Sequence, residues 1–153
     1  CHGFKRRSKS NETLFGEPGR LYVYLTYGIN YCVNIVTGNS SWANGVLLRA
    51  LAIPNENERI ASGPGLLAKK FGLNKTHDNL KISKENGLWL VRPKKTICQK
   101  EIVSSKRIGI SKAKDLEWRW YLKKSRSISK REKGDRIPPL KKAWVPLTID
   151  PHE

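Results

Sequence analysis

Tyr24, Tyr27 and Asn34 fall within one sixteen-residue stretch, LYVYLTYGINYCVNIV (residues 21–36), which also holds four of the chain's five tyrosines. Tyr27 stands directly before Gly28, at or beside the tip of the hairpin that this stretch predicts, where no core can cover it. An exposed aromatic ring at such a tip is placed to enter a groove or a base stack. Tyr24 lies three residues back, on the flank. Asn34 is a polar residue within the apolar run YCVNIV; buried without a hydrogen bond, it would cost about 1–3 kcal/mol. A plate, an amide and an intercalating tip are parts of a pocket for an unstacked base. The plainer alternative is a pair of half-buried strands whose tyrosine hydroxyls reach the edge. Arg49, in the middle of VLLRAL, poses a similar choice. It is either an arginine snorkelling to a strand edge or a phosphate clamp on a rigid strand.

Charge narrows the partner. The chain has 153 residues, with 30 Lys+Arg against 13 Asp+Glu, a net charge of +17. Residues 94–142 alone hold 17 basic and 5 acidic side chains. A domain this basic meets a polyanion, and neutralising phosphates with release of counterions is the main sequence-independent source of affinity for nucleic acid. No apolar run nears the roughly 18 residues that a membrane helix needs, and CHGFKRRSKS does not read as a signal peptide. Nucleic acid is therefore favoured over a membrane surface. Cys1, Cys32 and Cys98 are widely spaced and make no CxxC, and with His2, His77 and His152 they do not form a zinc-ligand pattern. We expect no disulfide framework, no metal and no cofactor, and a reducing, intracellular, DNA-associated location. The chain contains no methionine, even at position 1. We therefore expect it to have lost its natural N-terminus.

These residues need a scaffold. Residues 21–36 alternate in the β manner, and Gly28 divides them into two arms of a hairpin. A two-residue turn on Tyr27-Gly28 would pair Tyr24 with Tyr31 and put Asn34 on the opposite face. For Tyr24 and Asn34 to line one pocket, the loop must hold an odd number of residues, or the hairpin a bulge. The continuous run VLLRALAI (46–53) predicts a central strand buried on both faces. GEPG (16–19) predicts a turn. In SGPGLLAKKFG, Ser62 is a candidate cap, Pro64 suits a first helical turn and Gly72 a C-terminal stop. GLWLVRP (87–93) and KRIGISKA (106–113) predict short strands. The expected fold is α+β: a single compact domain over residues 1–129, with a curved, mostly antiparallel sheet, a protruding hairpin and a few helices. A basic tail over 130–153, poor in large apolar residues, is expected to be weakly ordered.

FGEPGRLYVYLTYGINYCVNIV, then VLLRAL, SGPGLLAKKFGL and RIGI…WRWYL resemble, in order, the alkylpurine (3-methyladenine) DNA glycosylase family, of the human alkyladenine glycosylase type. The resemblance covers roughly residues 1–129, and the hairpin block is its most specific part. It implies a hairpin that enters the DNA minor groove and a domain that flips a damaged purine out of the duplex and hydrolyses its N-glycosidic bond. It also implies no metal and no lyase step. By position, Tyr27 resembles the wedge that fills the vacated stack, and Tyr24 the plate under the flipped base. His2 resembles the pocket histidine on the base edge, Asn34 the residue that crowds the 2-amino group of normal guanine, and Arg49 the phosphate-contacting arginine.

The sequence departs from the family in three places. The family's general-base glutamate lies in a Thr-Glu-x-Tyr segment upstream of the pocket histidine, and this chain begins one residue before that histidine. No catalytic residue is therefore assigned; Glu12 and Glu17 sit in basic or turn sequence and match neither position. The loop between Arg49 and Ser62 is short for the family. Ser10 stands where an arginine is common. The expectation is a base-excision enzyme acting as a monomer on double-stranded DNA with a damaged purine, the 153-residue chain itself being inactive. The rival is a non-enzymatic, basic nucleic-acid-binding module whose tyrosines hold single strands without flipping. A small-molecule transferase on a similar open barrel is disfavoured by the charge.

Overall fold

The alternating stretch forms the predicted hairpin. In the computed structural model, which describes residues 3, 6–92 and 97–130, strand β1 (Leu21–Thr26) pairs antiparallel with β2 (Asn30–Val36). Strand β3 (Gly45–Leu47) adds to the other side of β2, giving the order β1-β2-β3. Side chains of a strand alternate between faces, so the ladder sorts the hairpin into two sets. Leu21, Val23 and Val33 point to one face and pack with Ala68 and Leu73 into the main core. Ala68 belongs to the only α-helix among the described residues, α1 (Pro64–Lys70). Tyr22 and Val36 point the other way and pack with Leu14, from the 3-10 turn Glu12–Phe15. The sheet is thus covered on one face by α1 and on the other by the N-terminal segment. Leu21, Val23, Val33, Val36 and Leu67 are almost wholly buried, each contributing about 1.5–3 kcal/mol relative to exposure.

The free edge of β1 is closed by residues 75–80. Leu21 N donates to Leu80 O, and Asn79 N to Leu21 O, at 2.9 and 2.8 Å. Further along, Asp78 Oδ1 accepts from Val23 N at 2.9 Å, and Lys75 Nζ donates to Val23 O at 3.2 Å. A side-chain carboxylate and an ammonium here take the place of another strand and keep the edge from pairing elsewhere. This support ends at Val23, and the rest of the hairpin projects beyond it.

The fold is α+β, a single domain of antiparallel sheets with few helices. A second, two-stranded sheet pairs β4 (Ile102–Ser105) with β5 (Arg119–Leu122). Its inner side is held by buried Arg119, which donates to Ser105 Oγ at 2.7 Å and to the carbonyl of Lys130. Glu58 is buried against Arg126 Nε at 3.0 Å, and Arg59 Nη1 donates to Ile128 O at 3.0 Å. These contacts tie residues 119–130 to the body. Residues 131–153, most of the expected tail, lie outside the described residues.

Four local expectations fail. VLLRALAI is not a central strand: β3 covers only its first two residues, has β2 as its one partner among the described residues, and leaves Val46 53% exposed. Among the described residues no strand pairs with its outer edge, so an apolar run there gains nothing by staying extended. Residues 89–92 form no strand and 88 makes only an isolated bridge with Ser83. Residues 106–113 form bends; the strand lies just before them, at Ile102–Ser105. The helix begins at Pro64 and is followed by Gly72 at φ +64°, as expected. Ser62, however, donates to Arg59 O at 3.0 Å rather than capping, and Gly63 takes the cap position.

Candidate nucleic-acid interface

The hairpin is out of simple register. Thr26 pairs with Asn30, leaving Tyr27, Gly28 and Ile29 in the loop. Tyr27 and Gly28 both have positive φ, +50° and +69°, the backbone hand that matches the twist of two paired strands. Ile29 N donates to Thr26 O at 3.1 Å, closing a turn of the two-residue kind. The ladder nevertheless resumes one residue later, so Ile29 is an extra residue on the returning arm. Tyr27 is 90% and Ile29 78% exposed, and Leu25 is also exposed. The hairpin therefore ends in an uncovered apolar tip. Tyrosine in this left-handed region costs on the order of 1–2 kcal/mol, a strain that no packing at the tip offsets.

The extra residue decides what the flank presents. Tyr24 now lies opposite Cys32, and Tyr22 opposite Asn34, so all four side chains share one face. The β2–β3 pairing continues past β3 through Leu48 N to Val33 O at 2.9 Å. The same spacing places Arg49 beside Cys32, completing a row of Tyr24, Cys32 and Arg49. Burial pushes the Tyr24 phenol well up, with the neighbouring Cys32 thiol, its hydrogen-bond partner, adding to the effect. Burial likewise pushes the Cys32 thiol up. It pushes the Arg49 guanidinium down, aided by the charge of Arg119, and Arg49 Nε has no hydrogen-bond partner. Arg49 is half-buried on the tyrosine face, beyond the end of β3.

Asn34 is buried, and its Nδ2 donates to Tyr22 O at 3.2 Å. Its amide is pinned to the sheet. Tyr22 and Tyr24 lie with ring centroids 5.3 Å apart, tilted by 32°. Together with Leu25 they form one wall of a cavity of about 420 Å³; Arg6, Ser8, Ser10 and Asn11 form the other. Asn34 is not among its lining residues. That volume falls in the range of small-molecule sites. The N-terminal wall is built by Asn11, which is buried. Its Oδ1 accepts from Ser8 N at 2.8 Å and its Nδ2 donates to Arg6 O at 3.0 Å. Tyr22 Oη donates to Ser10 O at 3.2 Å, fastening this wall to the sheet.

Of the five residues singled out from the sequence, the structure brings Tyr24, Asn34 and Arg49 to one face and leaves Tyr27 alone at the tip. His2 lies outside the described residues. Among the described residues no carboxylate lines the cavity. Glu12 pairs with Arg7, whose hydrogen bond holds its carboxyl below the usual range, and Glu17 is held the same way by Arg20. Sequence reasoning missed Asn11 and Asp78. Asn11 had a visible signal, an Asn closing the polar run SKSN before an apolar turn. Asp78 had none, because its partners Thr13 and Val23 are far away in the chain.

A basic α+β domain with an exposed aromatic hairpin and a cavity at its flank suits a polyanionic partner, and comparison with known proteins gives its family. Residues 1–126 match the methylpurine-DNA glycosylase family, and the chain belongs to it. Its members are DNA-repair glycosylases, whose partner is DNA. Among similar proteins is one from Synechococcus sp. (strain JA-3-3Ab), provisionally named a 3-methyladenine DNA glycosylase. It is 35% identical over 144 residues, 84% of this chain and 74% of its own length. Proteins with the same provisional name are 38% identical over 142 residues in Rhodopseudomonas palustris (85% of this chain, 69% of the relative) and 34% over 143 in Carboxydothermus hydrogenoformans (86% and 74%). Among the described residues no helix is long and apolar enough to cross a membrane.

Proposed function

We propose that the protein recognises alkylated purines of the 3-methyladenine type, and deaminated purines, in double-stranded DNA, acting as a monomer by flipping the damaged nucleotide. The reaction of that fold is hydrolysis of the bond from C1′ of deoxyribose to the purine nitrogen, leaving an abasic site. The observation that carries the reading is the three-residue loop, which projects Tyr27 into solvent and sets Tyr24 beside a cavity. Flipping costs a few kcal/mol of unstacking, least for a damaged or mispaired base. Tyr27 fills the gap in the stack, and Tyr24 is the plate for the flipped base, a contact of about 1–3 kcal/mol. Asn34 crowds the 2-amino group of normal guanine, His2 hydrogen-bonds the base edge, and Arg49 contacts a flanking phosphate.

The leaving group determines how much catalysis is needed. A cationic base such as 3-methyladenine departs readily; a neutral one such as hypoxanthine needs protonation as the bond breaks. In both cases a carboxylate must take the proton of the attacking water. Among the described residues no carboxylate lines the cavity, and the 153 residues by themselves are therefore read as binding damaged DNA without releasing a base. The test is a pair of assays on the 153-residue chain. Binding should favour a duplex with one abasic-site analogue over the same duplex undamaged, and no free base should appear from 7-methylguanine-containing DNA. Equal binding to both duplexes would favour a non-enzymatic module. Released 7-methylguanine would show that hydrolysis uses another group.

A further inference from the structure

Gly65 is the second residue of α1, in the SGPG stretch, to which no role has yet been assigned. A Cβ built on it would stand 2.9 Å from Asn30 Cβ and Cγ, and 3.0 Å from Asn30 Oδ1. Carbon atoms do not approach that closely, so α1 and the hairpin touch here without room for a methyl group. The backbone of Gly65 is helical, where alanine is preferred to glycine by about 0.5–1 kcal/mol. Glycine is thus disfavoured by conformation at this position, and the close approach supplies the reason for it.

Asn30 is the first residue of β2 and directly follows the loop that carries Tyr27. Its Cβ moves only with the strand. An added methyl on Gly65 must therefore displace either α1 or the end of the hairpin. The helix is anchored by Leu67 and Ala68, both fully buried. The hairpin is tied along its β1 edge only as far as Val23. Its tip is the softer of the two.

We infer that Gly65 is a positioning residue: the first turn of α1 is a buttress against Asn30 that sets the angle at which the hairpin tip meets DNA. The inference rests on the reading of Tyr27 as the wedge. Displacing a positioned group by around 1 Å costs enzymes up to about a hundredfold in rate, and we take a loss of comparable kind for a wedge that must enter one gap in the stack.

The experiment measures binding of the 153-residue chain to a duplex bearing a tetrahydrofuran abasic-site analogue and to its undamaged counterpart, with thermal unfolding in parallel. The variants are Gly65→Ala, Tyr27→Ser, Asn30→Gly and the pairs Gly65→Ala/Tyr27→Ser and Gly65→Ala/Asn30→Gly. We expect Gly65→Ala to weaken abasic binding by about tenfold or more, with undamaged binding unchanged. Asn30→Gly should restore it by removing the atoms the methyl meets. In the Tyr27→Ser background, Gly65→Ala should have no further effect. Weak Tyr27→Ser with wild-type Gly65→Ala would overturn this inference and leave the wedge standing. Wild-type binding by Tyr27→Ser would overturn the wedge itself. A Gly65→Ala defect that Asn30→Gly does not rescue, in binding or in folding, would show that Gly65 acts on the fold and not through the hairpin.

Discussion

Tyr24 faces Cys32 across the hairpin, not Tyr31. One added loop residue, Ile29, makes the difference. It places Tyr24 on the same face as Asn34 and, through the spacing of β2 and β3, in a row with Arg49. Without it the ring would share no face with either. The pocket wall and the exposed tip are therefore set by the same three residues, and substitutions in the loop separate their contributions.

Tyr27 is held at φ +50° and is 90% exposed, so it contributes strain and little packing. Tyr27→Gly should leave unfolding stability unchanged or raise it by about 1 kcal/mol, while weakening retention on abasic-site DNA. Denaturant unfolding and fluorescence anisotropy on the same samples give both numbers. A loss of stability would mean that the ring packs in solution.

Arg49 has a bare Nε and sits in the Tyr24 row. As a phosphate ligand, its removal should reduce the slope of log K against log salt by about 0.9. Arg49→Ala in a salt titration with a short duplex measures this. An affinity loss with unchanged slope would instead assign Arg49 to shaping the tyrosine face.

Asp78 joins the open edge of β1 to two other segments through Val23 N, Thr13 Oγ1 and Lys75 Nζ. Asp78→Ala leaves the Val23 amide without its acceptor and should cost about 1–3 kcal/mol of stability. Chemical denaturation reads the loss, and hydrogen exchange at Val23 should accelerate more than at Val33, which is covered on both sides.

Burial, with the Asp78 charge adding to it, holds the Tyr22 phenol up to about 12 from its ordinary 10.0. The folded state thus keeps a proton that the unfolded chain gives up first. The stability tied to this group is complete below about pH 10 and is lost as pH rises toward about 12. Denaturant midpoints across that range should fall less steeply for Tyr22→Phe than for wild type. Equal slopes would mean that Tyr22 does not contribute to the alkaline transition.

Local chemistry made much of the scaffold legible. Alternation marked the hairpin, Gly28 its tip, Pro64 and Gly72 the limits of α1, and the charge a nucleic-acid partner. The failures share a cause. VLLRALAI and GLWLVRP are apolar enough to be strands, but a strand needs an edge to pair with, and whether one arrives depends on distant segments. Asp78 was invisible for the same reason, because its role exists only where residues 75–80 cross β1. Asn34 was singled out as an amide in an apolar run; only the cross-strand position of Tyr22 O decides where its Nδ2 donates.

By itself, the sequence determined the family, the basic surface and the placing of an uncovered tyrosine before a glycine. These depend on residue type and local order. Only the tertiary structure decided which residues share a face, because side chains alternate with a period of two and one loop residue inverts the pairing. The same letters support a two-residue loop, with Tyr24 and Asn34 on opposite faces, or the observed three-residue loop. The choice is made by the sheet packing between α1 and the N-terminal turn, which buries Leu21, Val23 and Val33 on one side and Tyr22 and Val36 on the other.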